Sequence, residues 1–434
     1  MRMHHRGPEN GILPVSPSSQ KRRIAVLRLL RTSGSSRHQR IGIGGIFSQI
    51  HNIKTTRLIL NARVLKVLFE GIESVEAVDP LTVRVTLKSP DGGFPFKMAW
   101  GDAVMVDPAS AADNATQPVG TGPFRLADWR QGDRVVLTRN DDYWGEAPAL
   151  REAVFHFIGD PSAAFAAMMS GDLDAFPNYP APETLPQLES DPRFQILIGT
   201  TEGETILALN NTQPPLDDIR VRKALAHAID RQAVIDGAMF GYGTPIGSHF
   251  APHHPDYVDL TAQSPHDPAQ ARALLDEAGI DRLSLRLALP PTPYARRGGE
   301  IVAEQLRAIG VDAQVINMEW AQWLESVFGA GDFDMTIISH TEPMDIDIYG
   351  RDDYYFHYAR PEFVALLDRL AATADPETRS ALLREAQQMI ADDYVNVFLF
   401  QLAKTGVADA RLRGLWVNAP VPANDLTGVH WAED

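Results

Sequence analysis

Residues 118–145 read PVGTGPFRLADWRQGDRVVLTRNDDYWG, and this stretch decides the fold. Gly120 and Gly122 permit backbone angles that a Cβ disfavours, and Pro123 fixes φ where the turn ends. Phe124-Arg125-Leu126 opens an extended run, Gln131-Gly132-Asp133 is a turn, and Arg134–Arg139 is a second strand. Asn140-Asp141-Asp142 closes the pair with turn residues ahead of Tyr143-Trp144. The stretch holds no nucleophile–base pair and no metal-ligand spacing, so it reads as scaffold.

The same reading extends outward in both directions. Upstream, Leu81, Val83, Val85 and Leu87 alternate with Thr82, Arg84, Thr86 and Lys88, the period of a strand with one buried face. Downstream, Asp160-Pro161, Asp267-Pro268 and Asp375-Pro376 each place a capping carboxylate before a proline at the first helical turn. Ala271, Leu274, Leu275 and Ala278 form one apolar helix face, which Gly279 ends. Leu283, Leu285, Leu287 and Leu289 alternate as a strand; a helix through Ile301, Val302, Leu306 and Ile309 follows, then the strand Val311–Ile316. This is a βαβ unit with parallel strands. Further elements are a strand at Phe333–Ile338, an amphipathic helix at Thr378–Asp392 and an apolar strand at Val395–Gln401. The fold class is α/β.

The chain has 434 residues, enough for two or three domains. It has no cysteine, which excludes disulfides, thiolate catalysis and Cys-based metal sites. The net charge of −16 is unevenly spread. Residues 1–66 carry 13 Lys/Arg against one acid, Glu9, while the remainder carries 27 basic and 55 acidic residues. The acidic body argues against nucleic acid and anionic membrane surfaces as partners. No apolar run is long enough for a transmembrane helix, and no signal peptide is visible.

A second stretch, Leu209–Leu225 with Ala228-Ile229-Asp230-Arg231, reads LNNTQPPLDDIRVRKAL…AIDR. The two stretches carry P-x-G-T-G-P-[FY], N-D-x-Y-W and N-x-x-x-x-P-[FL]-x-D-x-R-V-R-x-A-[LI]-x-x-A-I-D-R in order. Together they resemble the extracytoplasmic solute-binding proteins of the dipeptide, oligopeptide and nickel class, family 5, which serve ABC importers. The resemblance runs from about Gly71 to the C-terminus. It implies a two-lobe periplasmic-binding-protein-like fold of the type II, peptide-binding subclass, closing by a hinge. By this analogy, 113–209 with 400–434 form lobe one and 210–399 form lobe two. Residues 64–112 are what is present of a small middle β domain. Residues 1–63 lack the family's expected features and are expected to be a basic head, either disordered or not of the family. The implied function is capture of a peptide or similar small organic solute for a membrane permease, without catalysis or cofactor. A periplasmic location and a monomer are expected. The alternative expectation is a truncated family member without transport function, less stable than a full-length one.

Several residues are candidates for the ligand cleft. The loop Ser339–Tyr349 follows a buried strand, where α/β sheets place ligand-binding groups. In peptide-binding members a W-x-x-D-Y-x-[DE]-P loop occupies this position, its Asp pairing with the peptide ammonium. Here His340 stands near the family Trp and Glu342-Pro343 near the acid–Pro pair, while the key Asp has no unambiguous match. Glu342 and Asp345 are the candidate anionic partners for a cationic ligand group. Trp320 and Trp323 share a helix side as pocket walls or core. Tyr179 follows a Gly-Asp-Leu-Asp strand as a cleft contact. Asn210 and Asn211, at the expected lobe crossing, either bond ligand or cap backbone groups. Two chemical readings compete. Ser339, His340 and Glu342 suggest a hydrolase, but no Gly-x-Ser-x-Gly elbow is present. His249, His253 and His254 suggest a metal, but Pro252 and Pro255 break the segment and no metal is expected there.

Overall fold

The 118–145 stretch is a hairpin held shut at its open end by one side chain. Strand Phe124–Arg130 pairs antiparallel with Arg134–Arg139, which pairs antiparallel with Glu152–Phe157. Gly132, at φ 78°, makes the tight turn, whereas Gly120 and Gly122 are not among the left-handed glycines. Asn140 is buried, and its Nδ2 donates to the Gly122 carbonyl at 2.9 Å while its Oδ1 accepts from Arg125 Nε at 2.8 Å. The Asn of the N-D motif thus ties the G-T-G-P turn to the second turn. Tyr143 and Trp144 pack on each other at 5.2 Å, and Trp144 stays exposed.

A computed structural model of the chain describes residues 12–14, 41–43, 69–79, 82–99, 110, 113–342, 344–358, 360–421 and 423–432. The expected basic head lies outside these residues except for two short strands. Ile12–Pro14 pairs antiparallel with Thr82–Leu87, itself paired to Ile72–Asp79. Ile41–Ile43 runs parallel to Glu152–Phe157.

The largest sheet is mixed, with strand order Gly243–Pro245, Asn396–Asp409, Phe194–Leu209, Met335–His340, Leu283–Leu289, Val311–Asn317. The expected βαβ unit is there: Leu283–Leu289 and Val311–Asn317 are parallel and flank helix Pro293–Ala308. Strand alternation sorts side chains onto two faces. Leu207, Leu209, Leu285, Leu287, Met335, Ile337, Val397 and Leu399 pack under helices Ile219–Ala228, Arg231–Met239, Pro268–Glu277 and Pro293–Ala308. Ile206, Ala208, Ala288, Ile338 and Phe398 face an aromatic core with Trp323, Phe333, Tyr349, Tyr355, Phe356 and Phe363. The Asp-Pro caps form as expected: Asp160, Asp267 and Asp375 accept from Ala163, Gln270 and Thr378 N–H groups. Gly279, at φ 77°, follows helix Pro268–Glu277.

Two strands leave this sheet and enter a third core. Phe194–Leu209 has 16 residues and Asn396–Asp409 has 14, and they pair antiparallel from Asn396↔Ala208 to Asp409↔Phe194. Ile196, Leu197, Val407 and Ala408 join the core of Val135, Leu137, Phe155, Met168, Phe176 and Tyr179. Register shifts fall between Phe398/Phe400 and Gln401/Ala403, where the pair passes from one core to the other. The sequence reading stopped the second strand at Gln401 and did not find the first. It also placed a strand at Gly171–Asp174, whereas the strand is Ala175–Phe176.

Candidate functional site

Where the paired strands pass between cores, a row of polar residues crosses the sheet. Glu204 pairs in register with His340 on one side and Gln401 on the other. A carboxylate in this row is fixed by backbone hydrogen bonds on both flanks. The loop after Gly243–Pro245 brings in His249, and the loop after Met335–His340 brings in Asp345. His249 Nε2 meets Asp345 Oδ1 at 2.9 Å and His249 Nδ1 lies 3.2 Å from Glu204 Oε1. Tyr349 lies edge-on to the His249 ring at 5.2 Å. Glu204 and His249 are 3% and 1% exposed. Burial, then the charge of Asp345, hold the Glu204 carboxyl well above the usual carboxylate range.

His340 extends the cluster outward. Its Nδ1 stands 4.0 Å from Asp345 Oδ2, and its Nε2 shares a 3.0 Å hydrogen bond with Tyr355 OH. Burial pushes its imidazole down to about 4, so it is neutral at physiological pH. Glu342 is exposed at the rim. His253 Nε2 meets Glu202 Oε1 at 2.7 Å, and His253 Nδ1 meets Gln401 Nε2 at 3.0 Å. Among the described residues, the ion pairs of Glu204 and Asp345 are with histidines only, not with Lys or Arg. Arg351, whose charge reaches Asp345, gives its ion pair to Asp347 at 2.8 Å. The arrangement can therefore hold a positively charged group.

The expected residues divide into two sets. His340, Glu342 and Asp345 come together here. Trp320 and Trp323 are both core, 5% and 3% exposed, and the Trp323 indole donates to Thr336 Oγ1 at 3.0 Å. Trp323 packs toward the cluster against Tyr355, 6.0 Å away ring to ring. Tyr179 is buried in the other core with its hydroxyl bonded to Thr184 Oγ1 at 2.6 Å. The side-chain amide of Asn210 donates to Gly331 and Phe333 carbonyls, and that of Asn211 to Leu209, Phe356 and Val395 carbonyls. Both asparagines thus serve the backbone.

The residues behind the two chemical alternatives do not come together. Ser339 and His340 are neighbours on one strand, so their side chains point to opposite faces. His340 bonds Tyr355, and Ser339 Oγ has no hydrogen-bond partner, so the Ser339/His340/Glu342 triad does not form. The three loop histidines also diverge: His249 to Glu204 and Asp345, His253 to Glu202, and His254 to the Met344 sulfur at 3.2 Å. The sequence reading missed Glu202 and Glu204. A signal was available in Glu202 and Glu204, two acids just ahead of the apolar run Ile206–Leu209.

Comparison with known proteins follows the same lines. A family model described as bacterial extracellular solute-binding proteins, family 5 Middle, matches residues 41–359, starting upstream of the Gly71 expected from the motifs. The glutathione-binding protein GsiB of Pectobacterium atrosepticum is 33% identical over 272 residues, covering 61% of this chain and 52% of that protein. The dipeptide-binding protein of Escherichia coli is 29% identical, covering 59% of this chain and 50% of that protein. The chain spans about half the length of these curated relatives. A Helicobacter pylori periplasmic binding protein, DppA, solved with a peptide, superposes with a TM-score of 0.75 at 21% identity, covering 96% of this chain and 88% of that one. The two-lobe α/β fold is thereby shown.

Proposed function

Since the chain belongs to the bacterial extracellular solute-binding proteins, family 5, we propose that it is the substrate-binding component of an ABC importer. In this reading it captures a peptide or similar small organic solute between two lobes and passes it to a membrane permease. It works as a monomer in the periplasm. Among the described residues no helix is long and apolar enough to cross a membrane. Lobe one is 113–209 with 400–434, and lobe two is 210–399. The observation that carries the reading is the strand pair Phe194–Leu209 and Asn396–Asp409, which runs through two separate cores with acidic and imidazole groups at the crossing. Long continuous strands let two packed bodies bend about a short segment without breaking either core.

Glu342 and the outer oxygen of Asp345 anchor a cationic group of the solute. Such a bond is strong in a partly desolvated cleft because water competes weakly there. His340, held neutral, adds polarity without opposing a cation. Trp320, Trp323, Tyr179, Asn210 and Asn211 act behind the cleft by fixing its walls.

The test is mass spectrometry of small molecules released from the purified protein, followed by calorimetry with the identified solute. One-to-one binding, a raised melting temperature and recovery of the solute unchanged are expected. Glu342→Gln should weaken binding of the cationic solute roughly tenfold, the loss of one charged contact. Failure of any released solute or small peptide to bind, or its conversion to product, counts against the proposal.

A further inference from the structure

Glu183 and Arg297 lie 114 residues apart, on segments that serve different cores. Glu183 sits on the 3-10 turn Pro182–Thr184. Tyr179 and Ala181 flank it on one side and Leu185 and Leu188 on the other, all of the third core. Pro182 is buried and Thr184 Oγ1 bonds Tyr179 OH at 2.6 Å, so the turn is fixed. Arg297 stands near the start of helix Pro293–Ala308, whose Ala295, Val302 and Leu306 pack in the core between the largest sheet and its helices. Its Nη1 and Nη2 donate to Glu183 Oε2 and Oε1 at 3.2 and 3.0 Å. The pair therefore spans the gap that strands Phe194–Leu209 and Asn396–Asp409 also cross.

An aromatic ring backs the pair. The Arg297 guanidinium lies 5.1 Å from the centre of the Phe240 ring. Phe240 ends helix Arg231–Met239 in the left-handed region, at φ 55° and ψ 39°. A bulky side chain is rare there, and Gly241, which takes φ 84° without strain, stands next to it. Burial does not hold the ring in place, since Phe240 is 46% exposed. The two helices approach closely: a Cβ on Gly237 would meet Ile301 Cδ1 at 2.4 Å, and one on Gly298 would touch Val234 and Ala238. That approach sets the ring beside a guanidinium that reaches the other core. Tyr242, two residues on, packs against the third core.

We propose that Glu183, Arg297 and Phe240 form a clasp that holds the two lobes at the angle seen in this structure. The proposal rests on the two-lobe reading above and adds what sets the resting angle. Exposed ion pairs contribute little as a rule. This one is bidentate, its side chains are 33% and 30% exposed, and a ring face restrains the guanidinium. Neither partner belongs to the strand pair, so rotation of one lobe about those strands draws carboxylate and guanidinium apart. Hydrogen bonds fail within about an ångström of such movement. The clasp touches no solute, yet a solute that fits this angle meets a protein already set for it.

The test is a distance measurement that needs no solute. The chain has no cysteine, so Glu146→Cys in lobe one and Ala365→Cys in lobe two, both exposed positions, take one spin label each. Electron–electron double resonance then reads the separation of the labels. One dominant distance is expected for the labelled parent. Arg297→Gln removes the ion pair and the ring contact and should lower the population at that distance, relative to others, roughly three- to tenfold; Glu183→Gln should lower it roughly two- to fivefold. Adding Glu183→Gln to Arg297→Gln should change nothing further. Molar sodium chloride should move the parent toward the Glu183→Gln distribution; circular dichroism checks that each variant is folded. Unchanged distances in both single variants overturn the clasp, as does a parent unmoved by salt or a full second effect of Glu183→Gln in the Arg297→Gln chain. The solute experiment is separate: solute capture by a protein whose distances ignore both substitutions sinks this inference alone, and responsive distances without solute capture sink only the transport reading.

Discussion

Arg222, one of the R-V-R pair of the second stretch, shows what a motif residue does when it has no chemistry. Its guanidinium donates to five carbonyl contacts, at Leu216, Asp217, Tyr394 and twice at Asp393, with distances of 2.8–3.3 Å. It therefore bolts helix Ile219–Ala228 to the start of strand Asn396–Asp409. A lysine keeps the charge but presents a point donor in place of a planar fork. Arg222→Lys should lower stability by roughly 2–4 kcal/mol, since buried carbonyls are left unpaired; the midpoint of urea unfolding measures it. Lys404 is the opposite case. It is 4% exposed, its ammonium donates to the Trp416 carbonyl, and burial pushes its pKa down to about 8. Between about pH 8 and the ordinary value of 10.5 the unfolded state then binds more protons than the folded one, so stability rises with pH across that window. Lys404→Met should melt a few degrees higher than the parent at pH 7, with the gap narrowing toward pH 10. A gap that stays constant with pH would mean that the buried charge is not its cause.

Among the elements, helix starts were the most legible feature. Among the described residues, five aspartates cap helices: Asp160, Asp218, Asp230, Asp267 and Asp375. The three followed by proline were readable in advance because cap and first-turn residue agree. Asp230 lies inside the A-I-D-R motif, and its Oδ1 accepts from Ala233 N–H at 3.1 Å. Asp230→Ala should cost roughly 1 kcal/mol of stability in thermal or urea melts, and Asp230→Asn only a few tenths. Equal losses for both would point to the charge rather than the cap. The strand Phe194–Leu209 was not legible. Its centre, Gly199-Thr200-Thr201-Glu202-Gly203-Glu204, has the composition of a loop. It stays extended because the residues on either side of its irregular centre pair with Asn396–Asp409, and Glu204–Leu209 pair also with Met335–His340, and that pairing is long-range. The indole pair was read correctly as sharing one side of a helix, but helix Trp320–Trp323 is short and runs into a π-helical turn, Leu324–Gly329. Both rings are consequently turned into the core.

For the molecule as a whole, the sequence by itself determined the α/β class, the βαβ unit, the capped helices and the family. These rest on features that act locally: period, caps, turn residues and motif residues such as Asn140 and Arg222, which lock nearby backbone. It also located the loop Ser339–Tyr349 at a strand end. The tertiary structure decided what that loop meets. Asp345 and His249 are 96 residues apart in sequence, and Glu204 and His249 are 45 apart, so no local period announces either contact. It also decided which polar residues face the crossing and which are spent on backbone carbonyls, as Asn210 and Asn211 are. The physical reason is the same in each case. Local structure follows from steric and hydrogen-bonding preferences within a few residues. A site made of charges depends on which distant segments are buried together, and only packing of the whole chain sets that.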